Sequence, residues 1–276
     1  MKIKVLGVKS WLAQEFNKYS SSNYDFIPYK SLKNNAHSLD FLTRDFAIGA
    51  TSQNVIVNFV GRKYGNLAEL KESNVEIPRL LAEISLGFPV RIIHIGSAAE
   101  YGIHKSGDMI NENDPCKPLS DYAKTKLEGS LILEEAKSSL ILRLFNSYSA
   151  NLPNNHLISE FKSKVLNSQN NSNKVYVQNY NCVRDFVSTR FLSQSIDLMI
   201  KSKEVGIYNI CSGSGFSYFQ IIQEMLKFQE KHCDILNLND VEKSVIIGDP
   251  NKWYSLTQTR YSPDLSCMVK EVMGIK

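Results

Sequence analysis

Short apolar segments rich in β-branched residues alternate with helical segments through the first half of the chain. The segments at residues 3–6, 25–29, 54–61, 90–95 and 140–148 each predict a strand. Between them, the patterns at 7–16, 66–86 and 121–136 predict helices. Strands that alternate with helices are typical of a parallel sheet covered by helices. The sequence therefore predicts an α/β fold with a doubly wound parallel sheet.

The alternation loosens from residue 152 onward. Residues 174–177 and 206–213 predict short strands, and residues 193–200 and 219–228 predict helices. We therefore expect a large first region over 1–150, with returning segments near 182–212. A smaller, mixed region over 151–276 follows it.

Composition excludes several classes of protein. The 276 residues include 32 basic and 28 acidic side chains, a formal charge of +4 that is too small to indicate a nucleic-acid partner. No apolar run approaches the ~20 residues that span a bilayer, and the N-terminus is too short and charged for a signal peptide.

Five cysteines without a C-x-x-C pair are typical of free thiols in a reducing compartment. Five dispersed histidines indicate no metal site. We expect a cytoplasmic protein without a membrane or nucleic-acid partner.

Candidate chemistry lies after the strand at 90–95. That strand ends in a turn of small residues that carries Ser97, and a helix capped by Ser120 or Asp121 follows. Tyr122 and Lys126 share one face of this helix because residues four apart lie on the same side. A lysine beside a phenol is expected to lower the phenol's pKa, and a serine hydroxyl can bond the same oxygen. These groups suit a proton donor or acceptor for interconversion of a carbonyl and an alcohol. A surface tyrosine beside a solvated lysine is the alternative, but it does not explain the strand and serine upstream.

The compound pattern resembles the extended short-chain dehydrogenase/reductase family of the NAD-dependent epimerase/dehydratase type. It comprises the turn Gly-Ser-Ala-Ala-x-Tyr-Gly at 96–102, a loop with Glu112, Pro115 and Pro118, and Tyr-x-x-x-Lys at 122–126. Within that family it is most similar to nucleotide-sugar epimerases and 4-ketoreductases. The resemblance implies a Rossmann-like dinucleotide-binding domain over 1–150, a mainly substrate-binding region over 151–276 and a homodimer. It also implies that Ser97, Tyr122 and Lys126 are catalytic.

The resemblance assigns a cofactor turn to the start of the chain. The family's G-x-x-G-x-x-G reads Gly7, Ser10 and Ala13 here, between a strand and a helix, as a dinucleotide fold requires. An ordinary strand–helix turn is the alternative. Where NAD-selective members carry an acidic residue, this chain has Lys30, which with Ser31 and Lys9 would receive a 2′-phosphate. That favours NADP, although NAD stays possible because Lys30 also fits a solvated surface lysine. The implied cofactor-binding residues are Gly7, Ser10, Trp11, Leu12, Lys30, Ser31, Val60, Gly61, Tyr122, Lys126 and Phe145.

The resemblance also implies a site for a nucleotide-sugar substrate. Arg143-x-Phe-Asn-x-Tyr matches a family motif in which Asn146 contacts the sugar nucleotide, and Arg184-Asp185-Phe-Val matches one in which the arginine grips the diphosphate. A turn-forming Asn146 and a plain Arg184–Asp185 ion pair are the alternatives. The implied substrate-binding residues are Ala98, Ala99, Asn146 and Arg184.

Three reactions share this scaffold, and two adjacent alanines discriminate among them. Dehydratases of the family place Asp-Glu directly after the catalytic Ser or Thr, where this chain has Ala98 and Ala99, which cannot move a proton. Dehydration is therefore disfavoured. Of the other two reactions, Lys30 and the short C-terminal region favour NADP(H)-dependent reduction of a nucleotide-activated 4-keto-6-deoxysugar. An NAD-dependent nucleotide-sugar 4-epimerase is one alternative. A non-catalytic dinucleotide-binding protein is another, suggested by Ser10, Ala13 and the departure from His-x-Ala-Ala at 58–61.

Overall fold

The computed structural model describes residues 2–21, 24–28, 42–43, 54–103, 108–136, 138–171, 173–239 and 244–275. Its largest sheet has six strands in the order β2-β1-β3-β4-β5-β10, and the fold is an α/β Rossmann-like one, so the predicted fold class is confirmed. The strands of this sheet are β1 (Ile3–Leu6), β2 (Asp25–Ile27), β3 (Asn54–Asn58), β4 (Val90–Ser97), β5 (Ser139–Leu144) and β10 (Gly206–Ile210).

Helices connect these strands. They are α1 (Trp11–Tyr19), α2 (Leu67–Lys71), α3 (Ile77–Gly87), α4 (Asp121–Glu135) and α6 (Thr189–Lys201). A π-helical turn, Glu72–Glu76, joins α2 to α3, so the helix predicted over 66–86 is present but changes its winding in the middle. Pro78 occupies the first turn of α3, where its missing N–H has no helical partner to lose. A 3₁₀ turn, Ala98–Tyr101, follows β4.

The order of the strands places a crevice at one edge of the sheet. Strand β1 pairs in parallel with β2 on one side and with β3 on the other, so the chain reverses its winding direction at β1. Open α/β sheets bind ligands at such a switch point, beyond the carboxyl ends of the strands. Here those ends lead into Gly7 after β1 and into Phe59, Val60 and Gly61 after β3.

The chain forms two compact units. The first comprises residues 1–102, 112–144 and 192–209, and the second comprises 103–111, 145–191 and 210–276. The second unit contains β6 (Asn146–Tyr148), α5 (Leu157–Leu166), a 3₁₀ turn (Ser168–Asn171), β7 (Lys174–Val177), β8 (Val183–Arg184), β9 (Phe186–Ser188), β11 (Phe216–Ser217), α7 (Tyr218–Phe228), β12 (Asp234–Asn237), β13 (Val245–Ile246), α8 (Asn251–Thr257) and α9 (Leu265–Met273).

Each unit has its own apolar core. In the first, buried aliphatic side chains of the central strands, among them Ile56 and Ile92, pack against Leu81 and Ile84 of α3. In the second, Phe161 of α5 packs with side chains of α7 and α9. The strand predicted over 140–148 is two strands, because Phe145 leaves the ladder of β5 and its N–H bonds the carbonyl of Ile210. None of the helices in the described part of the chain is long and apolar enough to cross a bilayer.

A buried arginine fixes the end of α6 in the first unit. Arg91 of β4 is 1% exposed. Its guanidinium donates to the carbonyl oxygens of Met199, Ile200 and Glu204, with the Glu204 bond at 2.8 Å. These carbonyls lie at the C-terminus of α6, where a helix leaves its last acceptors without partners and favours a positive charge. Arg91 thereby ties α6 to the sheet.

We expect Arg91→Met to lower the free energy of unfolding by about 2–4 kcal/mol, because it leaves buried carbonyls without donors. Urea denaturation with an unchanged m value would measure the loss. Arg79→Met is the matched control, because Arg79 forms a surface ion pair with Glu76; it should change stability by less than about 0.5 kcal/mol. Equal losses in both variants would contradict a specific role for Arg91.

Candidate active site

The turn after β1 meets the end of β3. Gly7 has a φ of +89°, and a Cβ at this position would lie 3.0 Å from the backbone of Phe59 and Val60. Only glycine combines this backbone conformation with so close an approach. Ser10 caps α1, and its hydroxyl accepts a bond from the N–H of Ala13 at 3.1 Å. The structure therefore brings together the predicted cofactor residues at both strand ends.

This edge of the sheet fits a dinucleotide. Trp11 and Leu12 form the first turn of α1, which carries no acidic side chain. A helix N-terminus directs backbone N–H groups and a positive dipole end outward, as a pyrophosphate requires. Gly61 lies near Lys126, because a Cβ on Gly61 would be 3.8 Å from the Lys126 amine. Gly7, Val60, Gly61 and Lys126 would hold the bound cofactor. Lys30 and Ser31, on which the expectation of NADP rests, lie outside the described residues.

The turn that carries Ser97 is held by a buried carboxylate. Ser97 ends β4 and caps the 3₁₀ turn, and its hydroxyl accepts a bond from Ala99 N–H at 3.2 Å. Glu100 is 0% exposed and accepts from the N–H of Ser97 at 2.8 Å. Its other oxygen pairs with Arg143 of β5 at 2.9 Å, and Arg143 stacks on Tyr101. The carboxylate thus fixes the backbone of Ser97 while remaining inaccessible itself.

Tyr122 contacts Ser97 as predicted, but its pKa shifts the other way. Burial raises the pKa of Tyr122, and the hydrogen bond with Ser97 opposes that rise. The expected lowering of the Tyr122 pKa by Lys126 is wrong. The Lys126 amine turns away and bonds the carbonyl of Ile95 at 2.7 Å and a ring nitrogen of His94 at 3.2 Å. Tyr122 therefore stays a protonated phenol at neutral pH.

Three polar side chains near this face are absent from the predicted site residues. Asn74, in the π-helical turn, bonds the backbone of Arg62 through both ends of its amide and also donates to Thr125 of α4 at 3.0 Å. Asn58 and His94 lie on β3 and β4 as register partners. The sequence signal was available in part, because Asn58 and His94 are polar residues in strands that are mostly apolar. Their pairing depends on register between distant segments, which periodicity does not give.

Helix α4 approaches the π-helical turn closely. A Cβ on Gly129 would lie 2.0 Å from the carbonyl oxygen of Asn74, so only glycine fits there. This contact sets the distance between α4, which carries Tyr122 and Lys126, and the helix that carries Asn74.

The second unit contains the remaining predicted residues. Phe145 is 3% exposed, and its ring packs where a Cβ on Gly248 would lie. Asn146 donates its side-chain amide to the carbonyl of Asp185 at 3.2 Å. Arg184 bonds the carbonyls of Val183 and Ser244 through Nη1.

Asp185 forms hydrogen bonds with the loops of the second unit. It is 0% exposed and accepts bonds from the N–H groups of Ser212, Gly213 and Gly248 and from the Ser212 hydroxyl. These contacts argue against the alternative of a plain Arg184–Asp185 pair. Ala98 is buried and Ala99 half-buried in the turn after Ser97, and their contact with a substrate stays a prediction.

Comparison with known proteins matches most of the chain to one protein family. A family model described as the NAD dependent epimerase/dehydratase family matches residues 10–211. The dTDP-6-deoxy-L-talose 4-dehydrogenase (NAD(P)(+)) of Kitasatospora kifunensis is 24% identical over 183 residues, which cover 62% of this chain and 58% of that enzyme. The match thus spans less than two thirds of that relative's length.

Solved structures of low sequence identity share the fold. RMD from Pseudomonas aeruginosa complexed with NADPH superposes with a TM-score of 0.83 at 16% identity, over 100% of this chain and 99% of that one. The dTDP-glucose 4,6-dehydratase from Bacillus anthracis in complex with NAD gives 0.83 at 18% identity, over 100% and 96%.

We expect Glu100→Gln to destabilise the protein by about 3–5 kcal/mol, because it leaves the buried Arg143 without a counter-charge. Chemical denaturation would measure the loss. Glu69→Gln is the matched control, because Glu69 pairs with Arg62 on the surface, where both are more than 40% exposed. That change should cost less than about 1 kcal/mol. A small loss for Glu100→Gln would show that the buried pair is not required for stability.

The titration of Asp185 predicts a pH-dependent stability. Burial raises the pKa of Asp185 to about 6, although its hydrogen bonds oppose the rise. The unfolded carboxyl releases its proton near pH 4, so from about pH 4 to pH 6 the unfolded chain binds fewer protons and stability falls as pH rises. Relative to Asp185→Asn, which does not titrate, the wild-type protein should lose about 2–3 kcal/mol between pH 4 and pH 7. A pH-independent difference would contradict the raised pKa.

Proposed function

Since the chain belongs to the NAD-dependent epimerase/dehydratase family, we propose that it reduces a nucleotide-activated 4-keto-6-deoxysugar to the 4-hydroxy sugar with NADPH. The observation that carries this proposal is the contact of the Tyr122 hydroxyl with Ser97, where burial raises the pKa of Tyr122 and the nearby Glu100 carboxylate is buried in an ion pair with Arg143.

The protonation state of Tyr122 suits a reduction. A reduction needs an acid that gives a proton to the carbonyl oxygen, and a phenol with a raised pKa holds that proton at neutral pH. Ser97 would hydrogen-bond the same carbonyl oxygen and orient it toward Tyr122. The bound dinucleotide would supply a hydride to C4. Lys126 would bind the ribose of the cofactor, as the family resemblance implies.

Dehydration is disfavoured by the surroundings of Ser97. The two residues after Ser97 are alanines, and the next, Glu100, has both oxygens engaged by Ser97, Ser130 and Arg143. A fully buried carboxylate in such an ion pair cannot reach C5 or C6 of a sugar. Proton transfer at this site therefore rests on Tyr122, which suits chemistry at C4 alone.

Residues of the second unit are suited to bind the nucleotide part of the substrate. Arg184 is half-buried, held by two backbone carbonyls through Nη1 and placed over the ring of Tyr218. A guanidinium fixed in this way loses little entropy when it binds a diphosphate in a bidentate manner. Asn146 would contact the sugar, and Phe145 the nicotinamide. The relative from Kitasatospora, which by its name oxidises C4 of a dTDP-deoxysugar with NAD(P)+, supports this substrate class.

We expect Tyr122→Phe to lower kcat for NADPH-dependent reduction of a dTDP-linked 4-keto-6-deoxysugar by about 10²–10⁴-fold, because the proton donor is lost. Absorbance of NADPH at 340 nm measures turnover. Binding of NADPH, followed by nicotinamide fluorescence, should change little.

The control is Tyr176→Phe, which removes the hydroxyl of an exposed tyrosine on β7 and should leave kcat unchanged. Full turnover by Tyr122→Phe would contradict the proposal. So would C4 epimerisation of a nucleotide sugar without net consumption of NADPH, which would identify the protein as an epimerase.

A further inference from the structure

Two buried polar residues, Asn58 of β3 and His94 of β4, form a chain of polar contacts that ends at the amine of Lys126. Asn58 and His94 are each 0% exposed and are register partners on neighbouring parallel strands. Asn58 Nδ2 lies 3.0 Å from His94 Nδ1, and His94 Nε2 lies 3.2 Å from Lys126 Nζ. Buried polar groups must be paired, so each contact constrains where the hydrogens lie.

The direction of these bonds can be read from the Asn58 end. The backbone N–H of Val60 points at Asn58 Oδ1 at 2.9 Å, and an N–H can only donate, which identifies that atom as the amide oxygen. The atom that faces His94 is therefore the amide nitrogen, which donates to Nδ1. A neutral imidazole that accepts at Nδ1 carries its hydrogen on Nε2.

The same logic continues to the lysine. The Nε2–H of His94 points at Lys126 Nζ, and Nζ also lies 2.7 Å from the carbonyl oxygen of Ile95. A neutral amine satisfies both contacts, because it accepts from Nε2–H and donates to the carbonyl. An ammonium has no lone pair for that N–H. Protonation of Lys126 therefore requires the other tautomer of His94 and the loss of the bond from Asn58.

We propose that Asn58 and His94 are positioning residues that control the protonation of Lys126 by holding His94 as its Nε2–H tautomer. Their effect on catalysis rests on the proposed function of Tyr122 and Lys126, whereas their effect on the lysine does not. The pair would hold Lys126 close to the balance between amine and ammonium. When the lysine gains a proton, the imidazole of His94 would change from the Nε2–H to the Nδ1–H tautomer.

The charges around Lys126 agree with this role. Burial lowers the pKa of Lys126 to about 8, and the attraction of Glu100, in the 3₁₀ turn, opposes the lowering. His94 faces the amine from β4; burial and the neighbouring lysine hold its pKa well below the usual range, so the ring stays neutral. At the end of β3 the neutral Gly61 lies beside the amine, because a Cβ there would be 3.8 Å from Lys126 Nζ.

The decisive variant is Asn58→Asp, which is nearly isosteric and replaces the donor with an acceptor. A carboxylate at this position takes a hydrogen from Nδ1, so His94 should switch to the Nδ1–H tautomer and present a bare Nε2 to the lysine. We expect the titration midpoint of Lys126 to rise by about one pH unit or more, because the ammonium then gains an acceptor. NMR measures both effects: ¹³Cε shifts of labelled lysine, with Lys126 assigned by its loss in Lys126→Met, and ¹⁵N shifts of the histidine ring.

Asn54→Asp is the matched control, because it adds the same carboxylate to the same strand four residues earlier, where the side chain contacts Lys2 and Pro89 instead. It should leave the His94 tautomer and the Lys126 midpoint as in the wild-type protein. His94→Gln, which removes the ring donor, should also raise the midpoint and serves if Asn58→Asp does not fold. The proposal is overturned if the wild-type ring is the Nδ1–H tautomer at pH 9, or if neither variant at 58 or 94 moves the midpoint.

Turnover separates this inference from the proposed function. If the protein reduces 4-keto-6-deoxysugar nucleotides, the alkaline limb of its kcat profile should lie near the Lys126 midpoint and move up with it in Asn58→Asp. If the NMR shifts occur as expected but no such sugar is reduced, the proposed role of Asn58 and His94 is supported and the proposed function is contradicted. If turnover occurs while the Lys126 titration is the same in all variants, the proposed role of Asn58 and His94 is contradicted and the proposed function is supported.

Discussion

A single buried carboxylate holds together the elements on which the site depends. Glu100 contacts the backbone of Ser97 at the end of β4, Ser130 on α4 and Arg143 on β5. Two strands and the helix of Tyr122 therefore converge on one charge. Desolvation of this ion pair is costly, and the cost is offset because every oxygen of the carboxylate is hydrogen-bonded. The backbone of Ser97 is therefore fixed by hydrogen bonds and charge rather than by apolar packing alone.

The ionisable groups near Ser97 are of two kinds: some only position the backbone, and others can exchange a proton. Glu100 and Arg143 are buried and mutually neutralised, so they orient without exchanging protons with a ligand. Tyr122, half-buried beside Ser97, and Lys126, beside a neutral imidazole, retain protons that can move. Burial raises the pKa of the phenol and lowers that of the amine, so it favours the neutral form of both groups. The chemistry thus depends on what a ligand does to the solvation of these two groups.

Local patterns were sufficient to predict the fold and the meeting of Ser97 with Tyr122. The period of the strands and helices gave the α/β class, and the i, i+4 spacing gave one face for Tyr122 and Lys126. The orientation of the lysine could not be predicted, because it depends on His94, which reaches the amine only through the register of β3 with β4. Similarly, the break at Phe145 depends on a bond to Ile210, far along the chain. Lys30 and Ser31 stay predictions because they lie outside the described residues.

The path of the chain through its two units has a consequence for synthesis on the ribosome. The chain leaves the first unit at Leu144 and returns to it at Leu192, and this last passage supplies nearly all of strand β10 and most of helix α6. When the first 144 residues have emerged, β5 is still an edge strand and Arg91 still lacks the carbonyls at the end of α6. Long-range closure of this kind is slow, and an open edge in a nascent sheet is prone to wrong pairing. The nascent chain is therefore most vulnerable to aggregation during the interval in which residues 145–210 are made.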